Sequence, residues 1–362
     1  MLVRERDAVD YLGISVVTLL AWLHFPYRFA VYTRSSTGRG GSSGGWTPPR
    51  AGRRRLRRGG GGGRGRLPRG HRPLGVGVAA GERGFSRLHV TPTRSVRMDD
   101  DSDVSGLRAT LRSNPAGHWL SIPSPQVAER LALTDADFVV VDTEHAPTGI
   151  ESVEAAVRAV DAANARDAGG DTADTAAVVR VAWNDHVRIK RVLDTGAAGV
   201  MAPQVSTPEA AEAFVAAARY PPAGRRGVAG ARASAYGRDL DDYYGRANRE
   251  VATIAQVETA EAVANAGAIA AVDGLDALLV GPADLSADLG VFGEYGADRF
   301  VGAVEDVLAA SEVPVGTLAT SPAEVERWAT LGFDFQIVGV DAGYLAAGAE
   351  AALERYERVG EE

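Results

Sequence analysis

From residue 104 onward the chain repeats a two-part pattern eight times: a short, mostly apolar run, then a stretch with apolar residues at i, i+3 and i+4. The runs are HWLSI (118–122), FVVVDT (138–143), AVVRVA (177–182), GVMAPQ (199–204), TIAQVE (253–258), ALLVG (277–281), VPVGTL (313–318) and FQIVGV (335–340). Runs of this length read as strands buried on both faces, and the 3.6-residue spacing reads as helix. The helical stretches are 125–133, 150–163, 187–195, 208–218, 260–272, 298–310, 322–331 and 342–356. Parallel strands need a crossover between them, so eight strand–helix units predict an α/β protein, a closed TIM (β/α)8 barrel. The alternative is an open doubly wound sheet. Such a sheet usually opens with a glycine-rich phosphate turn after its first strand, and none is present.

Charge divides the chain in two. Residues 1–97 carry 19 arginines against four acidic residues, and the remaining 265 residues carry 20 basic against 43 acidic ones. The first part holds WTPPRAGRRRLRRGGGGGRGRLPRG, a Gly/Arg run with no apolar period, which cannot bury enough surface to offset its ordering entropy. Its one apolar run, YLGISVVTLLAWL (11–23), is shorter than the roughly 20 residues of a membrane span. No signal-cleavage site follows it. The Arg/Gly run also lacks the interleaved aromatics of a nucleic-acid binder. Residues 1–97 are therefore expected to be a disordered or non-native extension, with Met98 as the true start and 98–362 as the barrel. The acidic, lysine-poor body suggests a protein kept in solution by carboxylates in a high-salt cytoplasm. A GC-rich genome would skew composition the same way. With no cysteine in the chain, disulfides, thiolate metal sites and cysteine nucleophiles are excluded.

The barrel gives the polar residues one address, because active sites form at the C-terminal ends of barrel strands. Asp142, Glu144 and His145 close the second strand, Arg180 lies in the third and Pro203-Gln204 close the fourth. Gln256 and Glu258 close the fifth, Asp284 follows the sixth and Asp341 the eighth. Acidic groups rarely sit against such apolar runs unless they bind a metal or take part in chemistry. Glu258 and Asp284, from adjacent strands, are the candidate pair for a hard divalent ion with waters and an oxygen-rich substrate. The competing reading makes Asp284 the N-cap of a short helix. Among six histidines, His145 is the candidate proton-transfer group, since Asp142 and Glu144 can orient its ring. Arg180, in AVVRVAW, needs an anionic partner: a substrate carboxylate or enolate, or a barrel carboxylate such as Asp142. Lys190 is the only lysine and sits mid-helix between Arg188 and Arg191. That placement argues against imine chemistry, so a carbanion would need a metal. No G-x-S-x-G elbow, P-loop or H-E-x-x-H is present, and GVAGARAS after RYPPAGRR reads as a loop over the mouth.

From about Gly117 to the C-terminus the chain resembles the HpcH/HpaI aldolase family of metal-dependent class II pyruvate aldolases. The motifs are VVVDTEHAP, VVRV, IKRVLDTGAAGVMAPQV, RYPPAGRRG, ARAS, QVETAEAV, GLDALLVGPADLS and FQIVGVD. The resemblance implies a barrel of the phosphoenolpyruvate/pyruvate-binding type that cleaves a 4-hydroxy-2-oxo acid to pyruvate and an aldehyde. It implies Mg2+, Mn2+ or Co2+ on Glu258 and Asp284, and His145 as acid/base with Asp142 as its partner. Arg180 would meet the pyruvate oxygen, and Asp194 would support the site from nearby. Gln256, Gly281, Pro282, Ala283 and Leu318 would line the substrate, with backbone N–H groups at Ala283 and Asp284 on the pyruvate carboxylate. It also implies a homo-oligomer, a hexamer exchanging C-terminal helices, with ALERYERVG in that role. No nucleic acid or membrane partner is expected.

Two departures stand out. NARDAGGDTADTAA (164–177) is an enlarged acidic loop expected on the face away from the site, and the loop after RRGVAG is short. Acyl-CoA lyases of the citrate lyase β-subunit or malyl-CoA lyase type share the barrel and metal carboxylates, but they need a nucleotide-binding face that no basic cluster supplies. A non-catalytic barrel is the remaining alternative.

Overall fold

The computed structural model describes residues 106–167 and 174–361. The expectations for residues 1–97 and Met98 lie outside the described residues, as does the middle of the acidic stretch 164–177. The described residues form a closed barrel of eight parallel strands in sequential order, the eighth pairing back onto the first. These are β1 (Ala116–Leu120), β2 (Phe138–Asp142), β3 (Ala176–Arg180), β4 (Gly199–Ala202), β5 (Ala252–Val257), β6 (Ala277–Val280), β7 (Val315–Leu318) and β8 (Phe335–Val340). All eight expected runs are strands, with ends displaced by up to two residues. At β1 the cause is visible: the Ser121 and Ile122 amides leave the sheet to donate to the Asp341 carboxylate at 2.9 and 2.8 Å.

The helices are α1 (Leu107–Thr110), α2 (Pro125–Ala132), α3 (Ile150–Asp167), α4 (His186–Asp194), α5 (Pro208–Ala218), α6 (Leu240–Glu250), α7 (Ala260–Ala264), α8 (Ala266–Ala270), α9 (Pro282–Asp288), α10 (Asp298–Ala310), α11 (Pro322–Leu331) and α12 (Asp341–Glu361). Sequence signals set several starts. Thr207, Thr259 and Ser321 accept first-turn amides of α5, α7 and α11, and proline opens α2, α5 and α11. The helix expected over 260–272 is two short helices meeting at Asn265, whose side chain donates to the Ser206 carbonyl at 2.8 Å. α6 was not expected: LDDYYGRANRE spaces Leu240, Tyr243, Tyr244 and Ala247 as a helix would, but it buries only Tyr243 and Ala247.

Alternate strand residues face opposite sides, so the apolar runs feed two layers. Trp119, Phe138, Val140, Val178, Met201, Ile254, Leu279, Phe335 and Ile337 fill the interior, closed by Leu107 and Leu111 at α1. Val139, Val141, Val179, Val200 and Leu278 face outward against Val157, Ile189, Leu193, Phe214 and Trp328 of the helices. Gly117 is required by this packing, since a Cβ there would overlap the Phe138 ring. Each large side chain buried this way contributes roughly 1.5–3 kcal/mol. At the N-terminal end, aspartates just ahead of even-numbered strands pin the starts of their odd-numbered neighbours. Asp137 accepts from Ala116 N–H (2.9 Å), Asp276 from Thr253 N–H (2.8 Å) and Asp334 from Val315 N–H (2.8 Å). No helix among the described residues is long and apolar enough to cross a membrane.

Candidate active site

The C-terminal ends of β2, β3, β5 and β6 supply the site. Asp142 ends β2 beside Arg180, the end of β3, in sheet register. Its Oδ1 accepts from the Glu144 amide at 3.0 Å and from Arg180 Nε at 2.8 Å, and its Oδ2 accepts from the His145 amide at 3.3 Å. The buried carboxylate thus shapes the turn that carries Glu144 and His145. It meets the backbone of His145, while the imidazole stands nearest to Glu144, with Nε2 at 3.8 Å from Oε1.

Arg180 is buried. Glu144 Oε2 lies 2.8 Å from its Nη1, and the Trp119 ring lies 4.5 Å from its guanidinium carbon. Burial alone would lower the Arg180 pKa, but the Asp142 hydrogen bond and the charges of Asp142, Glu144 and Glu258 outweigh it and raise the pKa. Glu144 is held above the usual carboxylate range by burial, against the pull of Arg180 and His145.

Glu258 follows β5 directly and is 2% exposed. Oε1 accepts from Gln256 Nε2 at 2.7 Å, and Oε2 accepts from the Gln204 amide at 3.0 Å and its Nε2 at 3.1 Å. Burial pushes its pKa up to about 7, and the nearby charges of Asp284 and Glu144 add to that push. Gly281 makes the approach of β6 possible, because a Cβ there would lie 2.8 Å from Glu258 Oε1. Gly281 is the N-cap of α9, so Asp284 is a first-turn residue and not the cap. Pro282 and Ala283 precede Asp284 in that turn, and the Ala283 and Asp284 amides belong to the turn that lacks intrahelical acceptors. Leu318 ends β7 and packs against the interior cluster.

Asp194 is not brought to this mouth within one chain. α4 starts at the mouth and runs back along the barrel wall, so its last residue lies near the N-terminal end, where Asp194 pairs with buried Arg226 at 3.2 Å. The RYPPAGRRGVAGARAS loop is placed the same way, contrary to the expectation that it covers the mouth. α5 returns the chain before that loop begins, and Arg232 donates to the Thr195 carbonyl and pairs with Asp161. Three contributors carried no role in the sequence reading: Gln204, which holds Glu258, Trp119, which lies under Arg180, and Glu144 as a partner of Arg180. Gln204 closes an apolar run as the other site residues do, which was the available signal.

Fold and site together define a barrel enzyme built on paired carboxylates, a buried arginine and an exposed histidine. The family model described as HpcH/HpaI aldolase/citrate lyase matches residues 116–347. A protein named 4-hydroxy-2-oxovalerate aldolase from Novosphingobium aromaticivorans is 42% identical over 262 residues, covering 71% of this chain and 96% of its own length. A 4-hydroxy-2-oxo-heptane-1,7-dioate aldolase from Salmonella dublin is 39% identical over 246 residues, covering 66% of this chain and 89% of its own. The crystal structure of a family protein from Burkholderia cenocepacia J2315 superposes with a TM-score of 0.65 at 37% identity, over 69% of this chain and 98% of that one. The chain belongs to the HpcH/HpaI aldolase/citrate lyase family, and with that membership it is a carbon–carbon lyase.

Proposed function

We propose that this chain catalyses reversible retro-aldol cleavage of a 4-hydroxy-2-oxo acid to pyruvate and an aldehyde, with a divalent cation (Mg2+, Mn2+ or Co2+) on Glu258 and Asp284. The supporting observation is the condition of Glu258. It is a buried carboxylate with only neutral hydrogen-bond partners, pushed up to about 7 by burial and by Asp284 and Glu144. A hard cation relieves that arrangement, and two carboxylates leave its remaining positions to water and substrate oxygens. When bound, the cation acts as a Lewis acid on the 2-oxo group.

The chain's own groups do the rest. The Ala283 and Asp284 amides receive the substrate carboxylate at the start of α9. In cleavage His145 takes the C4 hydroxyl proton, directly or through a water, as the C3–C4 bond breaks and the aldehyde leaves. The bonding pair passes to the 2-oxo oxygen, where the free N–H groups of Arg180 meet the enolate charge. Protonation at C3 then gives pyruvate. One such aimed donor is worth about 10²–10³-fold in rate. Gln256 and Gln204 hold Glu258 in place, and Leu318 offers an apolar contact beside the mouth. Asp194 has no part in the chemistry of a single chain.

A panel of 4-hydroxy-2-oxo acids assayed for pyruvate release with Mg2+, Mn2+ or Co2+ tests the reading. Cleavage unaffected by EDTA rejects the metal assignment. The named aldolases among the relatives favour this reading over an acyl-CoA lyase. A homo-oligomer is part of the proposal, because Leu345, Leu353, Tyr356 and Val359 leave an apolar face of α12 exposed. Light scattering of the chain cut after residue 341 should report a smaller assembly.

A further inference from the structure

This inference rests on the retro-aldol reading and concerns Glu144, to which that reading gives no task. The side chain of Glu144 is 15% exposed, whereas that of its neighbour His145 is 68% exposed. One turn therefore sends the acid inward and the base outward. Glu144 Oε2 sits 2.8 Å from Arg180 Nη1, yet it is fully buried and aligned with no N–H, so the contact is one of charge and not a formed hydrogen bond. Oε1 lies 3.8 Å from His145 Nε2.

The restraints on Arg180 differ in kind. Asp142 grips one edge through Nε at 2.8 Å, and Trp119 supports one face at 4.5 Å. Those two contacts hold one edge of the planar guanidinium and set its plane, but a single hydrogen bond leaves the rigid fork able to pivot within that plane about the Nε contact. Glu144, at the Nη1 corner, is the only other acidic group in contact with it among the described residues. Of the five N–H donors of a guanidinium, only the Nε one is then engaged in a formed bond. The direction in which the others aim depends on that corner.

We propose that Glu144 is a positioning residue of the aldol step. Its negative charge locks the rotation of the Arg180 guanidinium against the enolate oxygen and keeps His145 over the same opening. The effect falls on the transition state, because the enolate charge develops only there.

The test compares Glu144→Gln and Glu144→Ala with the wild-type chain, each loaded with Mn2+, on a 4-hydroxy-2-oxo acid that the wild type cleaves. Glu144→Gln keeps the shape and removes the charge, so kcat should fall about tenfold or more. Glu144→Ala should fall further, up to about 100-fold, the scale of a misplaced catalytic group. KM should stay within about threefold in both, and the Mn2+ dissociation constant should change far less than kcat, because Glu144 reaches the metal pair only through a minor charge effect on Glu258. A packing role spares the Gln variant, so a Gln variant with wild-type kcat overturns the assignment. A loss of Mn2+ affinity as large as the loss in kcat also overturns it, making Glu144 a general charge of the metal site. If the Ala variant fails to fold, the isosteric Gln variant decides alone. A wild-type chain that cleaves none of the acids removes the retro-aldol reading together with this one, whereas an active wild type with an unimpaired Gln variant removes this one only.

Discussion

Two buried carboxylates on neighbouring strands, one at each end of the barrel, have opposite surroundings. Asp276 stands just before β6 at the N-terminal end and is 4% exposed, and Glu258 stands just after β5 at the mouth and is 2% exposed. Asp276 is paired with Arg108 and with Arg219 at 3.3 Å, and it accepts from the Thr253 amide at 2.8 Å and hydroxyl at 3.1 Å. Glu258 accepts only from neutral amide groups, with two further carboxylates close enough to raise its pKa, opposed by the Gln204 amide hydrogen bond and by Arg180 as the one nearby positive charge. Breaking a completed buried ion network exposes desolvated charge, and leaving one incomplete creates demand for a cation. The closed end thus serves stability, and the open end trades stability for a site.

Exchanging the two consequences is the strongest way to break that contrast. Glu258→Gln or Asp284→Asn should lower metal-dependent pyruvate release by at least about 10³-fold, the several kcal/mol expected of a lost Lewis acid. Melting without metal should stay the same or rise. Asp276→Ala should do the reverse, costing about 3–5 kcal/mol through unpaired Arg108 and Arg219. In a barrel of this size that lowers Tm by roughly 10 °C. Its kcat per folded molecule should be unchanged. Activity assays and melts on the same preparations read both effects, and a stable but inactive Asp276→Ala would dissolve the distinction.

A pH series sharpens the comparison at smaller amplitude. The Glu258 pKa is raised from an ordinary 4.5 to about 7, so between those values the folded, metal-free chain holds a proton that the unfolded chain has lost. Stability from this group is full below about pH 4.5, declines as pH rises, and is gone above about pH 7, a change of at most about 3 kcal/mol. Metal must displace that proton, so Mn2+ affinity should rise about tenfold per pH unit below 7 and level off above it. Melts in EDTA and calorimetric Mn2+ titrations from pH 5 to 8 measure the two curves. Glu258→Gln should flatten both.

The mouth was more legible in the sequence than the closed end, and the reason is physical. A carboxylate at or just past the end of a buried, mostly apolar run breaks the pattern, so Asp142, Glu258 and Asp284 stood out. The eight strands were legible for the same reason, since barrel strands are apolar on both faces. Partnerships were not legible. Nothing local to VVR indicates that Trp119 lies under Arg180, or that Glu144 and not Asp142 faces the His145 ring, because those contacts join separate strands or depend on one turn. Asp194 and the RYPPAGRRG loop were misplaced for a topological reason that strand–helix order could have supplied: each comes after a helix that has already carried the chain away from the mouth. α6 escaped notice because its buried face is two residues wide.

Smaller effects test whether the mouth works as one unit. Trp119 belongs to the interior core and also supports the Arg180 guanidinium, a contact worth about 1–2 kcal/mol when desolvated. Trp119→Leu should lower kcat about tenfold with KM little changed, and it should also lower Tm through the cavity it leaves. Lys190→Arg should do almost nothing. Lys190 is the only lysine, lies midway along α4, and has its Cδ 3.4 Å from the space a Cβ would take at Gly227, in the loop that packs toward the closed end. Imine catalysis needs a lysine amine at the substrate carbonyl, and no such amine stands beside Glu258 or Arg180. The variant should keep kcat and its metal requirement within about twofold, and borohydride with pyruvate should leave the wild-type mass unchanged. A reduced adduct on Lys190 would move the carbon chemistry away from the carboxylate pair, and the contrast between the two ends of the barrel would lose its functional meaning.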